Sequence, residues 1–386
     1  MSDVVVLGSG FAGLWAAIGA ARRLDELGAA DGDVTVTVIS SQPYHDIRVR
    51  NYETDLTPCR IPVRDVLDPV GVRHLTADVT AIDPTSHTVK TSAGAHSYDR
   101  LVVALGSQVV KPNIPGLREF GYDVDTYDGA IALKRHLETL ADGVHTPAAA
   151  TAVVVGAGLT GVETACELPA RLNALFPDVP ARVILVDRNP HVGSDMGTSA
   201  RPVIEDALRT IGVQTRLGVS VAAVGENGVA LSTDEVLPAA TVVWCAGMRA
   251  NPLTADLGVE RDHLGRLPVD DYLRVDGVDD VFAAGDVAAA RMDDTHRSVM
   301  SCQHGRPMGR FAGYNVIGDL LGEPMLSLRI PWYVTVLDLG PVGAVYTEGW
   351  ERQVVATGAD AKTTKRTINA ERIYPPLNGD RDAILA

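Results

Sequence analysis

The stretch Val4-Val5-Val6-Leu7-Gly8-Ser9-Gly10-Phe11-Ala12-Gly13-Leu14 decides how this chain is read. An aliphatic, β-branched run ends in Gly8-Ser9-Gly10-Phe11-Ala12-Gly13, and an alanine-rich run from Leu14 to Ala21 follows at once. The order is strand, tight turn, helix. It suits a dinucleotide pyrophosphate: Gly8 makes the turn, Gly10 lets the backbone approach the phosphates, and Gly13 lets the helix close on the strand. The unpaired N–H groups of the helix N-terminus then face the anion, with Phe11 and Ala12 of the turn as further cofactor-binding candidates.

Working outward, residues 28–33 read as a turn, and Val34 to Ile39 as a second parallel strand of alternating β-branched residues. A dinucleotide fold usually offers a ribose an acid at that strand's end. Ser40 stands there instead and can hydrogen-bond a hydroxyl. Tyr44-His45-Asp46, then Arg48, Arg50, Asn51 and Tyr52, form a polar, loop-like segment with several groups able to bond a ligand. Val66 to Asp83 reads as alternating helix and strand. Ser97 to Ser107 reads as a buried strand ending in Gly106-Ser107, and Pro112 to Pro115 as a linker.

At Thr151 the opening pattern returns: Ala152 to Val155 as strand, Gly156-Ala157-Gly158-Leu159-Thr160-Gly161 as turn, Val162-Glu163 as the start of a helix. The chain therefore holds two dinucleotide units. The second strand of this unit ends in Asp187, whose carboxylate favours a free ribose 2′-hydroxyl and repels a 2′-phosphate, so NADH is expected over NADPH. Pro169 is expected to kink or end the helix. Val242 to Gly247 and Val281 to Asp286 are further buried strands ending in small residues, the latter with a carboxylate that would also serve as a helix N-cap. Ser298 to Leu321 reads as a helix carrying Gln303, His304 and Arg306, interrupted by Pro307. The tail from Leu326 reads as short strands with glycine turns. Lys362, Lys365 and Arg366 read as a solvated basic face.

With 386 residues, 46% of them hydrophobic, the chain is long enough for two or three domains. Its net charge of −15 and pI near 5.0 argue against nucleic acid and anionic membrane surfaces as partners. No apolar run approaches the roughly 18 residues of a transmembrane helix. The N-terminus lacks the zones of a signal peptide, and a cytoplasmic location is expected. No two of the four cysteines, Cys59, Cys166, Cys245 and Cys302, lie close in sequence, which argues against a zinc site, a dithiol centre and a disulfide scaffold. No metal is expected, and any redox chemistry must sit on a cofactor.

Two glycine motifs, with Val102-Val103-Ala104-Leu105-Gly106-Ser107 after the first and Phe282-Ala283-Ala284-Gly285-Asp286 after the second, resemble the flavin and pyridine-nucleotide oxidoreductase family. The resemblance implies an α/β fold of two Rossmann-like dinucleotide-binding domains, for FAD and NAD(P), with a small C-terminal α+β domain. The expected division is 1–115 and 247–325 for FAD, 116–246 for NAD(P)H, and 326–386 for the C-terminal domain. Carried over, Gly8, Gly10 and Gly13 take the FAD pyrophosphate, Ser40 the adenosine ribose and Val79 the adenine through its backbone. Gly106 sits near the cofactor, while Gly285 and Asp286 return to its ribityl or pyrophosphate region. Gly156, Gly158, Gly161, Glu163, Asp187 and Gly247 serve NADH or NADPH.

Within the family, the missing cysteine pair excludes the disulfide reductases. The chain looks most like the type II NADH:quinone oxidoreductases and the apoptosis-inducing-factor-like flavoproteins, which Tyr44-His45, Pro62-Val63-Arg64 and Gly161-Val162-Glu163 echo. Their quinone-site helix carries alanine-glutamine and a second glutamine four positions on. This chain has Cys302-Gln303 there, with Pro307 in the later place, and no evident C-terminal membrane helices. The expected reaction takes hydride from NADH onto FAD and passes electrons to a quinone or other small acceptor, with Gln303, His304, His45 and Tyr44 as acceptor-side candidates. A reductase for a protein carrier and an NADH-sensing flavoprotein remain as alternatives. Partners are a small-molecule acceptor, no nucleic acid and no integral membrane segment, with a homodimer left open.

Overall fold

The first glycine turn hangs from a five-stranded parallel sheet. The structure, a computed structural model, describes residues 2–30, 32–193 and 196–386; Asp31, in the turn expected at 28–33, lies outside them. The sheet order is Val281–Ala283, Arg100–Val103, Ser2–Leu7, Val34–Ser40, Arg73–Thr76. A second parallel sheet has the same plan: Gly121–Tyr122, Thr241–Trp244, Thr151–Val155, Arg182–Asp187, Gln214–Leu217. The glycine-bearing strand is central in each, as burial on both faces requires of an all-aliphatic run. Its backbone is placed identically in the two sheets. Gly8 N donates to Ile39 O and Gly156 N to Val186 O, both at 2.8 Å, while Ala104 N donates to Leu7 O at 2.9 Å and Cys245 N to Val155 O at 2.8 Å.

Each unit also carries a three-stranded antiparallel meander just before the strand that flanks its glycine-bearing strand, Arg100–Val103 or Thr241–Trp244: Val79–Asp83, Thr88–Thr91 and Gly94–Ser97 in the first, Val221–Gly225, Gly228–Leu231 and Val236–Pro238 in the second. The fold is thus α/β with two Rossmann-like dinucleotide-binding domains. The two crossings between them, Ser107–Val109 and Met248–Ala250, pair as an antiparallel ribbon. Behind the first turn, helix Phe11–Glu26 packs against helix Cys302–Leu321, whose Gly309 and Gly313 lie on the backbone carbonyls of Ala12 and Ala16.

The C-terminal part is a three-stranded antiparallel sheet, Val334–Asp338, Ala344–Glu348 and Gln353–Thr357, followed by helix Gly358–Thr367. Leu337, Leu339 and Val345 enter the core of the second unit. The last helix, Arg381–Leu385, returns to the first, burying Ile384 and Leu385 in its core.

The helix end allowed at Pro169 and the interruption expected at Pro307 are corrected. Helix Leu159–Leu175 continues past Pro169, and Cys302–Leu321 past Pro307. A proline removes one i→i−4 bond, here freeing the carbonyls of Ala165 and Gln303, and the packed faces of these long helices outweigh that loss. The second helix also starts at Cys302 and not Ser298, because the Ser301 hydroxyl accepts from His304 N (3.3 Å) as its N-cap.

Candidate active site

At the first turn, Gly8 has a φ of +101° and Gly156 one of +107°, a conformation that favours glycine. A Cβ at Gly13 would overlap the Gly8 carbonyl oxygen, and one at Gly161 the Gly156 carbonyl oxygen. Both helices start at a glycine cap, Gly10 and Gly158, with no side chain capping them and no acid in the first turn. A Cβ on Gly10 would meet nothing within 4 Å. Their first N–H groups are therefore free for an anion, and these residues fit a dinucleotide pyrophosphate at each turn.

The expected ribose readers differ. Asp187 accepts from Ala157 N (2.5 Å) within the glycine turn and from Asn189 N (2.7 Å), so it braces that turn while keeping carboxylate lone pairs for a ribose. Ser40 is engaged elsewhere, donating to Gln42 O (2.7 Å) and lying 2.9 Å from His74 Nε2. Val79 opens the first meander opposite Thr91. Gly106 and Gly247, with φ of +68° and +80°, bound the interdomain ribbon. The Gly106 carbonyl accepts from Asn251 N (2.9 Å) and that of Gly247 from Val110 N (2.7 Å).

Gly285 packs on the first turn so closely that a Cβ there would lie 2.7 Å from the Ala12 Cβ. Asp286, beside it, accepts from Ser107 Oγ at 2.5 Å, with Arg48 Nη1 at 3.9 Å; burial holds its carboxyl above the usual range. It sits in a 3-10 turn, not at a helix cap.

The Tyr44–Asp46 strand is tied to the same turn. Ser9 Oγ donates to Tyr44 O (2.8 Å), and His45 Nδ1 lies 2.8 Å from Ser9 O. A carbonyl only accepts, so Nδ1 carries the proton and the buried Nε2 is left bare and unpartnered. Burial lowers the His45 pKa to about 4, so the ring is neutral at pH 7. Its edge meets Phe11, with centroids 4.9 Å apart. The Tyr44 ring is covered by the Arg60 guanidinium, 4.8 Å from its centroid.

Gln303 and His304 turn toward the protein. The Gln303 amide, oriented to satisfy both groups, donates to Val334 O (2.6 Å) and accepts from Val334 N (3.3 Å), joining its helix to the C-terminal sheet. His304 Nδ1 accepts from Val299 N (2.9 Å), and burial lowers this ring also to about 4. Tyr374 accepts from Arg50 Nη1 (2.7 Å) and donates to Pro58 O (2.5 Å). It shares an apolar cluster with Phe11, Ile47 and Cys302. The structure thus gathers Phe11, Tyr44 and His45 at the first turn, with Cys302 and Tyr374 alongside, while Gln303 and His304 are spent on backbone.

Glu163 holds a place that its position in the second turn did not suggest. It is buried, and its Oε1 accepts from Lys365 Nζ (2.7 Å) and Asp338 N (3.1 Å). Lys362 Nζ meets Asp338 Oδ2 at 2.6 Å, and Tyr52 OH donates to the same oxygen at 3.4 Å. Burial pushes the Glu163 carboxyl up and the facing Glu163 carboxylate pushes Lys365 up. The basic face expected at Lys362, Lys365 and Arg366 is corrected accordingly: only Arg366 is exposed, and Lys365 is 8% exposed. Buried acids need cations. The three-residue spacing of the lysines, which puts them on one helix face, was the available signal.

A family model described as pyridine nucleotide-disulphide oxidoreductase matches residues 2–309. The chain belongs to that family. An NADH dehydrogenase-like protein of Mycobacterium tuberculosis is 70% identical over 390 residues, covering 100% of this chain and 98% of the relative. The type II NADH:quinone oxidoreductase of Staphylococcus haemolyticus is 28% identical over 399 residues, covering 96% and 95%. Among solved structures, NDH2 from Plasmodium falciparum in complex with RYL-552 superposes with a TM-score of 0.81 at 13% identity, covering 99% and 96%, which speaks to the fold.

This pyridine nucleotide oxidoreductase lacks the dithiol of the family's name. All four cysteines are free, and burial raises every thiol, Cys59 and Cys245 to about 12, so none offers a thiolate at neutral pH. Among the described residues no helix is long and apolar enough to cross a membrane, and no cluster of side chains could hold a metal ion.

Proposed function

We propose that this oxidoreductase is an FAD-dependent NADH dehydrogenase delivering electrons to a small acceptor of the quinone class. The observation that carries the reading is the pair of uncapped glycine turns, one of them closed by the return of Gly285 onto Ala12. The names of the Mycobacterium and Staphylococcus relatives support the donor and the acceptor class. Bound FAD supplies the two-electron relay between nucleotide and acceptor.

The protein's part is binding, alignment and exclusion of water. Gly8, Gly10 and Gly13 hold the FAD pyrophosphate on the first helix N-terminus, and Asp286 with Ser107 meets the polar middle of the same molecule. Gly156, Gly158 and Gly161 hold NADH, with Asp187 on its ribose. His45, neutral, keeps its bond to the Ser9 carbonyl across the neutral range and shapes the first turn without moving a proton.

The purified protein is expected to be yellow and to release FAD, not FMN, on denaturation, because the first turn is shaped for a pyrophosphate that FMN lacks. Chromatography of the released flavin checks this. A colourless protein that stays colourless after reconstitution with FAD would end the reading.

NADH is expected to be used with the higher kcat/KM. Asp187→Asn should narrow the gap to NADPH by about 1–3 kcal/mol, the scale of one charge-assisted bond with relief of repulsion. It should also lower efficiency with NADH, because an amide has one acceptor oxygen and can keep only one of the bonds from Ala157 N and Asn189 N that brace the turn. A wild type that prefers NADPH contradicts the assignment.

A further inference from the structure

Arg48 lies just after the Tyr44–Asp46 strand, at the start of a 3-10 turn, and nothing assigned so far requires it. Its guanidinium reaches four separate segments. Nη1 donates to Ser107 O and Ser107 Oγ, both at 3.0 Å, on the outgoing interdomain crossing. Nη2 lies 3.6 Å from Met248 Sδ on the returning crossing and pairs with Asp125 Oδ1. Asp125 belongs to the second unit, between its edge strand and helix Tyr127–Ala141, and its other oxygen accepts from Val109 N (2.9 Å). Nη1 also faces Asp286 at 3.9 Å.

One cation thus spans both crossings, the acid beside the glycine that returns to the first turn, and an acid of the second domain. Arg48 is 27% exposed on its side chain and Asp125 11%, so the pair is sheltered from solvent screening. A lysine keeps the charge but not the planar fork that holds Ser107 and Asp125 together.

We propose that Arg48, through Asp125, is a positioning residue for hydride transfer: it sets how the second domain docks on the first, and so where the nicotinamide meets the flavin. The inference rests on the reading of FAD in the first domain and NADH in the second. Transfer between two separately held cofactors is sensitive to their separation, and a displacement of about 1 Å can cost on the order of 10²-fold.

The test is anaerobic stopped-flow reduction of the holoenzyme. At saturating NADH, Arg48→Lys and Asp125→Asn are each expected to slow flavin reduction by about 10- to 100-fold. FAD content, the apparent Kd for NADH and reduction by dithionite, which needs no docked domain, should stay near wild type. The double variant should be no slower than the slower single one, since both break one contact. Asp125→Asn carries the test if Arg48→Lys fails to fold. Wild-type reduction rates in both variants, or slowing by dithionite in parallel, would overturn the proposal. So would loss of FAD with an unchanged rate per bound flavin. A wild type that NADH does not reduce defeats the functional reading itself, a result distinct from all of these.

Discussion

Gly13→Ala is expected to be purified without FAD. Its Cβ would overlap the Gly8 carbonyl oxygen, with the Ala104 side chain behind it at 3.5 Å, so helix and strand must separate. Overpacking of this kind costs about 1–3 kcal/mol of stability. The larger loss is in binding: moving the helix N-terminus removes charge-assisted bonds to the pyrophosphate worth about 1.5–3 kcal/mol each. Two such bonds lost weaken FAD affinity by roughly 10²- to 10⁴-fold. Gly10→Ala separates the two effects. Its Cβ meets no protein atom within 4 Å and its φ is −71°, so the apoprotein should lose no more than about 1 kcal/mol while FAD is still excluded. Flavin absorbance with calorimetry checks both variants, and full FAD occupancy in Gly10→Ala would mean that Gly10 does not face the ligand.

What was legible in the sequence is local. Strand, glycine turn and helix are contiguous in each unit, so Val4 to Leu14 and Ala152 to Val162 announce themselves, and the parallel order follows from aliphatic runs buried on both faces. Val281 to Asp286 could be assigned back to the first domain only through the family resemblance, since nothing local says which sheet a short strand joins. The meanders were missed because strands as short as Thr88–Thr91 and Gly94–Ser97 carry too little alternation to stand out.

The site divides in the same way. The glycines of both turns lie where the motif put them, since the turn is its own geometry. Side-chain roles were harder. Gln303 and His304 read as acceptor-side groups because polar residues on a helix near a cofactor invite that reading. Their partners, Val334 and Val299, are backbone groups on which side-chain identity places no mark. Arg48 and Asp125 are 77 positions apart, and each alone is an ordinary surface charge in a chain of net charge −15. Only the fold joins them.

Lys365→Met is expected to destabilise the protein by about 3–5 kcal/mol at neutral pH, because it leaves Glu163 buried without its cation. Glu163 and Lys365 are 7% and 8% exposed and 202 positions apart, so the pair pins helix Gly358–Thr367 to the second nucleotide domain. The pH dependence identifies the cause. Burial already holds the folded Glu163 carboxyl above its ordinary value, and without the ammonium it must rise further. A carboxyl whose folded pKa is raised adds stability below its unfolded pKa, and that contribution fades as pH rises through the folded one. The variant should therefore recover toward wild type as the pH falls from 8 toward 5 and Glu163 takes up a proton. Lys365, whose folded pKa is also raised, stabilises the wild type throughout that window and stops only in alkali. Adding Glu163→Gln to Lys365→Met removes the stranded charge and should restore part of the loss at pH 8, the non-additivity of a contacting pair. Denaturant midpoints of the two single variants and the double at pH 5 and 8 decide it: a deficit equal at both pH values, or a double variant as unstable as the sum of its parts, would mean that the ammonium does not serve to neutralise Glu163.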